Sequence, residues 1–276
     1  MRIEKNKILV YDDNCPLCSW YSNLFVRHGF IPKEGRIAFS SLDASFFSII
    51  DVNKGRNEIP LVDLSSGKVL YGIDSLLEIL GQKYPWIKRA GNTRPLKWFL
   101  KKLYKFISYN RKVIVAKKCG DGKFDCAPDM NYRYRGLFMF LFLIFNTLAL
   151  FPLQELVLTK LSFYHLSIQT LQAAHFGLVL SNFILAFTFH KQKAYEYLGQ
   201  VNMLALTAIL LLIPLLPLQL IGIGEGFIIA YLILTTIIVF KEYLRRMEYA
   251  GILIRYKWVV SINLLCLCGF ILFLFG

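Results

Sequence analysis

The sequence predicts an α/β N-terminal domain followed by an all-α membrane domain of about five transmembrane helices. Three observations carry this. The apolar run Ile8-Leu9-Val10-Tyr11 feeds directly into two thiols three residues apart, Cys15-Pro16-Leu17-Cys18. Residues 1–135 alternate polar and apolar segments, whereas from Gly136 onward long apolar runs appear that a bilayer accommodates. The 276-residue chain is 56% hydrophobic with a mean hydropathy of +0.48, and that excess is not evenly spread.

The head reads element by element. Residues 8–11 form a strand, and 16–28 a helix that Pro16 opens at its first position, with Cys15 as N-cap and Gly29 as stop signal. There the Cys15 sulfur faces the unpaired N–H groups of the first turn, including that of Cys18, where the helix dipole favours a thiolate. A strand over 36–39 and a helix over 44–52 behind Asp43 follow. Two strands over 61–64 and 68–71 read as a hairpin around Ser65-Ser66-Gly67, and Asp74 caps a helix over 74–83. The order β-α-β-α-β-β-α is that of thioredoxin. Pro60, just before the third strand, takes the position where that fold carries a cis-proline beside its reactive disulfide. Local sequence alone favours trans, so cis rests on the resemblance.

Two cysteines at this spacing after a strand carry disulfide exchange: a thiolate at Cys15 attacks, and Cys18, one turn inside the helix and more buried, resolves. A zinc site is the competing reading of C-x-x-C, but no second C-x-x-C or H-x₃-H pair supplies the two remaining ligands. Asp12 is placed either to accept a proton from the buried thiol or to turn the chain after the strand. Trp20 and Tyr21, next to the pair, read as core aromatics. His28 reads as a helix-end charge rather than a catalyst.

Tyr11-Asp12-Asp13-Asn14-Cys15-Pro16-Leu17-Cys18 resembles the signature of the DCC family of thiol-disulfide oxidoreductases, Asp-x-x-Cys-x-x-Cys, here Asp12, Cys15 and Cys18. Gly72-Ile73-Asp74-Ser75-Leu76, Tyr104 and Asn110-Arg111 match further pieces, so the resemblance covers about residues 8–112. It implies a thioredoxin-like fold and dithiol chemistry on a protein or small-molecule thiol or disulfide, with no cofactor required. Asp13 departs from the family's usual glycine, and a side chain there either reshapes the turn before Cys15 or adds negative charge that opposes thiolate formation.

Three regions follow: residues 1–93 as the thioredoxin-like domain, 94–135 as a basic amphipathic juxtamembrane linker and 136–276 as the membrane domain. The chain carries a formal charge of +14, and 94–118 holds nine Lys or Arg and no acid. Beside a membrane this favours anionic lipid over nucleic acid, and no nucleic-acid partner is expected. Within it Leu96, Phe99, Leu100, Leu103 and Phe106 line one helical stripe while Lys97, Lys101 and Lys105 repeat elsewhere, a pattern suited to the membrane interface or to packing on the head. Cys119 and Cys126 bracket a turn-rich loop and offer a second redox pair or two free thiols.

Spans are expected over 136–158, 166–189, 201–220, 227–243 and 258–275, each near the ~20 residues a crossing needs. Pro214 and Pro217 kink or break the third. Lys and Arg alternate between connections as the positive-inside rule asks for an integral cell-membrane protein with a cytoplasmic head and the C-terminus opposite. No apolar stretch before Cys15 is long enough for a secretory signal. Gln169, Gln172 and His175 give the second span a polar face, which reads as interhelical hydrogen bonding or as a quinone site built on Gln172 and His175. The sequence therefore predicts a membrane-anchored thiol-disulfide oxidoreductase, the alternative being a redox-regulated transporter or quinone-linked electron-transfer protein.

Overall fold

Alternation along Ile8-Leu9-Val10 sends side chains to opposite sheet faces, and both faces are covered. Ile8, Val10 and Val62 join Phe39 and Ile50 in one core, while Leu9 and Leu61 join Ile31, Ile59 and Ile79 in the other. The computed structural model describes residues 6–116, 128–162, 167–219 and 222–275. Its strands are β1 (Lys7–Tyr11), β2 (Arg36–Ala38), β3 (Pro60–Asp63) and β4 (Val69–Tyr71), in the sheet order β2-β1-β3-β4. β1 runs parallel to β2, with Val10 opposite Ile37, and antiparallel to β3, with Leu9 opposite Leu61; β3 and β4 form the expected hairpin. The chain forms two compact units, Met1–Tyr134 and Arg135–Gly276.

The helices of the first unit are α1 (Pro16–Arg27), α2 (Ala44–Phe47), α3 (Val52–Asn57), α4 (Ile73–Lys83), α5 (Pro85–Gly91) and α6 (Arg94–Val115). The single helix expected over 44–52 is two short ones. Ile50 is drawn into the core, the Asp51 N–H donates to the Tyr71 hydroxyl at 2.8 Å, and the Asp51 carboxylate then caps α3 through the Lys54 N–H. Asp43 makes no side-chain capping bond, and α4 is capped by Gly72, so Asp74 lies in its first turn instead.

Helix α6 packs on α1, α3 and α4. Lys97 and Lys101 ion-pair with Asp74 at 2.8 and 3.3 Å, and Lys105 pairs with Glu58 at 3.4 Å. That lysine row therefore serves the head. Tyr104, Ser108 and Arg111 follow it at helical spacing and reach Ile59, Asn57 and Arg56.

In the second unit the helices are α7 (Tyr132–Leu158, whose first turn belongs to the first unit), α8 (Ile168–Phe187), α9 (Lys191–Leu212), α10 (Leu215–Gln219), α11 (Glu225–Tyr249), α12 (Ile252–Arg255) and α13 (Lys257–Phe275). Pro214 separates α9 from α10, as expected of the third span. Among the described residues four helices are long and apolar enough to cross a membrane: Tyr132–Leu158, Ile168–Phe187, Lys191–Leu218 and Glu225–Tyr249. Five spans were expected, and the fifth falls on α13, which is apolar over Lys257–Gly269 among the described residues.

Polar side chains join these helices. Tyr197 donates to Asn182, and Asn263 donates to the hydroxyls of Tyr197 and Tyr243, both at 2.9 Å, so α8, α9, α11 and α13 share one network. Asn146 donates to the Asn202 carbonyl at 2.9 Å, linking α7 to α9.

Candidate active site

The motif begins where β1 ends. The Asp12 carboxylate accepts the Asn14 N–H at 3.0 Å and the Asp12 carbonyl accepts the Cys15 N–H at 3.3 Å, which turns the chain into α1. Cys15 is the N-cap in extended conformation, and its Sγ accepts the Cys18 N–H at 3.4 Å. Pro16 supplies the first helical residue without an N–H to leave unsatisfied. Both thiols are free and buried, Cys18 more than Cys15. Ligand atoms of Asp12, Cys15 and Cys18 lie within 4.8 Å of one another.

Arg111 completes the cluster from the far end of the domain. Its guanidinium pairs with Asp12 Oδ2 at 3.2 Å, donates to Cys18 Sγ at 3.7 Å and is held in place by the Arg56 carbonyl at 2.9 Å. A cation thus already sits on two of the three groups that would ligate a metal. The sequence pointed to Arg111 only as part of a family piece. A signal for its role exists in the i, i+4, i+7 row Tyr104, Ser108, Arg111, polar residues on the face of α6 that meets the head.

The electrostatics divide the two thiols. Hydrogen bonding from the Cys18 side chain lowers the Cys15 pKa most; burial opposes it, and the Cys18 N–H and Arg111 add to the lowering, leaving Cys15 at about 6 against an ordinary 9.0. The same hydrogen bond and burial push Cys18 strongly upward, with Arg111 alone opposing. Burial raises the Asp12 carboxyl, countered by Arg111 and the Asn14 N–H. The arrangement stores one thiolate, one thiol and a carboxylate within reach of that thiol.

Pro60 opens β3 at the sheet end where β1 hands over to Asp12, paired with Tyr71. The residue before it is clamped: the Ile59 N–H donates to the Tyr104 hydroxyl at 2.9 Å, and the Ile59 carbonyl accepts from Ser75 at 3.0 Å and from the Gly72 N–H at 2.9 Å. No cis peptide bond occurs among the described residues, which corrects the cis form expected at Pro60. The Ile59–Pro60 bond is trans, the form an X-Pro bond prefers by about 0.5–1 kcal/mol.

Trp20 is 62% exposed rather than core, because it follows Cys18 by two residues and so points away from the sheet. Tyr21 does pack inward, edge-on to Phe25. Asp13 spends its carboxylate on Ser40, accepting the hydroxyl at 2.8 Å, and its charge is not among the main influences on Cys15. Cys119 and Cys126 lie outside the described residues. In the second unit Gln172 is half-buried, and a ring nitrogen of His175 is engaged by the Thr147 hydroxyl at 3.1 Å, a contact between α8 and α7.

Over residues 9–117 the chain matches the family described as DCC1-like thiol-disulfide oxidoreductase, as the Asp12-x-x-Cys15-x-x-Cys18 resemblance implied. No curated protein and no solved structure matches the chain.

Proposed function

We propose that this chain is a thiol-disulfide oxidoreductase whose thioredoxin-like head is held on the cytoplasmic face of a membrane by its apolar helices, with a protein or small-molecule disulfide or dithiol as substrate. One observation carries the chemistry: Cys15 sits at the N-cap of α1 with its sulfur accepting the Cys18 N–H, in a head that matches an oxidoreductase family. Support for the cytoplasmic side comes from the Lys and Arg of the connections.

In the reductive direction the Cys15 thiolate attacks one sulfur of a substrate disulfide. A Cys15–substrate bond forms, the substrate S–S bond breaks and the first substrate thiolate leaves. Cys18 then gives up its proton, for which the Asp12 carboxylate, within 4.8 Å, serves as base, and its sulfur attacks Cys15 Sγ. The Cys15–Cys18 bond forms and the second substrate thiolate leaves. Two electrons have passed from the dithiol to the substrate, and the reverse sequence oxidises a dithiol. The cysteines themselves carry the electrons, so the reading calls for no cofactor and leaves the residues of the membrane unit without a redox role.

The test uses the reduced full-length chain and a peptide disulfide in single turnover. Stoichiometric thiol release with formation of a Cys15–Cys18 bridge is expected, abolished in Cys15→Ser and arrested at a mixed disulfide in Cys18→Ser. Equal residual exchange in both variants refutes the assignment.

A further inference from the structure

Helix α6 carries a second, apolar face that is exposed among the described residues. Leu96, Phe99, Leu103 and Ile107, spaced three, four and four residues apart, are all exposed, Phe99 by 53%. They lie on one stripe, turned away from the Tyr104, Ser108 and Arg111 row that meets the head. Trp98 and Lys102 are exposed on the same helix. A contiguous apolar stripe of this kind on an otherwise charged helix marks a contact surface.

Two observations identify what covers it. First, α6 is fixed to the start of a membrane-length helix: the Asn110 amide donates to the Tyr134 carbonyl at 3.2 Å and Tyr109 stacks on Tyr134 with ring centroids 5.3 Å apart. The chain just before is clasped as well, since Asn57 and Asp129 exchange two hydrogen bonds three residues ahead of Tyr132. From Asn110 back to Leu96 is about 21 Å along the helix axis, so the whole stripe stays close to where α7 begins. Second, residues 94–118 hold nine cations and no acid; Lys97, Lys101, Lys105 and Arg111 are engaged by acids of the head, and exposed Arg94 and Lys102 keep the outward side of the helix basic. A second copy on the stripe would bring two such helices together, like charge against like, whereas an anionic bilayer surface is complementary.

We propose that the Leu96, Phe99, Leu103 and Ile107 stripe lies in the headgroup–acyl boundary of the bilayer that α7 enters, so that the head is docked on the membrane surface rather than suspended above it. Apolar insertion does the holding, because Lys97, Lys101 and Lys105 are engaged by Asp74 and Glu58. The inference rests on the membrane reading of the helices and is independent of the thiol chemistry.

The experiment places a single tryptophan on the stripe of the full-length chain, Phe99→Trp with Trp20, Trp86, Trp98 and Trp258 each changed to Phe, in nanodiscs of zwitterionic and anionic lipid. Lipids brominated high on the acyl chain are expected to quench its fluorescence several-fold more than lipids brominated deep, and aqueous acrylamide to quench it weakly. Adding Leu103→Glu should exchange the two sensitivities without lowering the thermal midpoint of the head. Acrylamide quenching with indifference to bromolipid overturns the docking. Protection from both quenchers together with a dimeric mass also overturns it, assigning the stripe to a second copy. Release of the chain from membranes by alkaline carbonate would instead refute the membrane reading beneath it.

Discussion

Arg111→Gln separates the role of the guanidinium from that of the fold. The side chains of Arg111 and Asp12 are 10% and 7% exposed, and removing one partner of so buried a pair costs about 3–5 kcal/mol through the charge left behind. The second loss is chemical. A hydrogen bond from a charged donor to a thiolate contributes about 1.5–3 kcal/mol, equivalent to one to two pKa units, so at neutral pH the Cys18 thiolate should fall roughly ten- to a hundredfold. Resolution of a mixed disulfide needs that thiolate, whereas the first attack depends on Cys15, for which Arg111 is a lesser influence than the Cys18 hydrogen bond. The assay is rapid-quench single turnover, reading mixed-disulfide formation and decay separately. Decay should slow by the larger factor, and Arg111→Lys should fall between wild type and Gln, since it keeps the charge and loses the fork. In the double variant with Asp12→Asn the stability cost should be less than the sum of the single costs, because no carboxylate is stranded. A folded Arg111→Gln protein that resolves its mixed disulfide at the wild-type rate would refute the reasoning.

Two further outcomes follow from the same geometry. Alkylation of Cys15, read on its own peptide by mass spectrometry, should rise with pH through about 6 and level off, because the reacting form is the deprotonated one and its pKa is lowered; Cys18→Ala removes the largest lowering influence and should move the midpoint upward toward 9.0. Gly72→Ala should destabilise the head by about 1–3 kcal/mol in chemical denaturation: its φ is +60°, and a Cβ there lies 2.9 Å from a Glu58 oxygen and 3.1 Å from the Tyr104 ring. An unchanged midpoint would show that the loop before α4 relaxes freely.

What could be read in the chain was whatever depended on neighbours in sequence. Alternation over residues 8–10, the hairpin around Gly67 and the cap at Cys15 are all settled within a few residues, and each appears where expected. The helix over 44–52 failed because a distant hydroxyl, Tyr71, competes for the Asp51 N–H; Asp51 is itself a cap residue, so the break had a local sign. Trp20 failed because its aromatic type alone suggested core, whereas the helix phase puts it off the face that buries Cys18 and Ser22.

The site shows the limit more sharply. Cys15, Asp12 and Cys18 are one local turn, but the cation that contacts Asp12 and Cys18, Arg111, lies 93 residues beyond Cys18, in a stretch whose composition speaks of membranes. The head contacts of that stretch and the proposed membrane contact can coexist because a helix has more than one face. Phase, not composition, assigns its residues: Tyr104, Ser108 and Arg111 fall on the side that meets the head and complete it, while Leu96, Phe99, Leu103 and Ile107 fall on a side that the head leaves open. One helix therefore ties the reactivity of the dithiol to the surface that the proposed docking uses. Displacing α6 from the head would withdraw Arg111 from Cys18 as directly as it moved the stripe, so variants that loosen α6, such as Tyr104→Phe with its lost bond to the Ile59 N–H, should slow mixed-disulfide resolution without touching either cysteine.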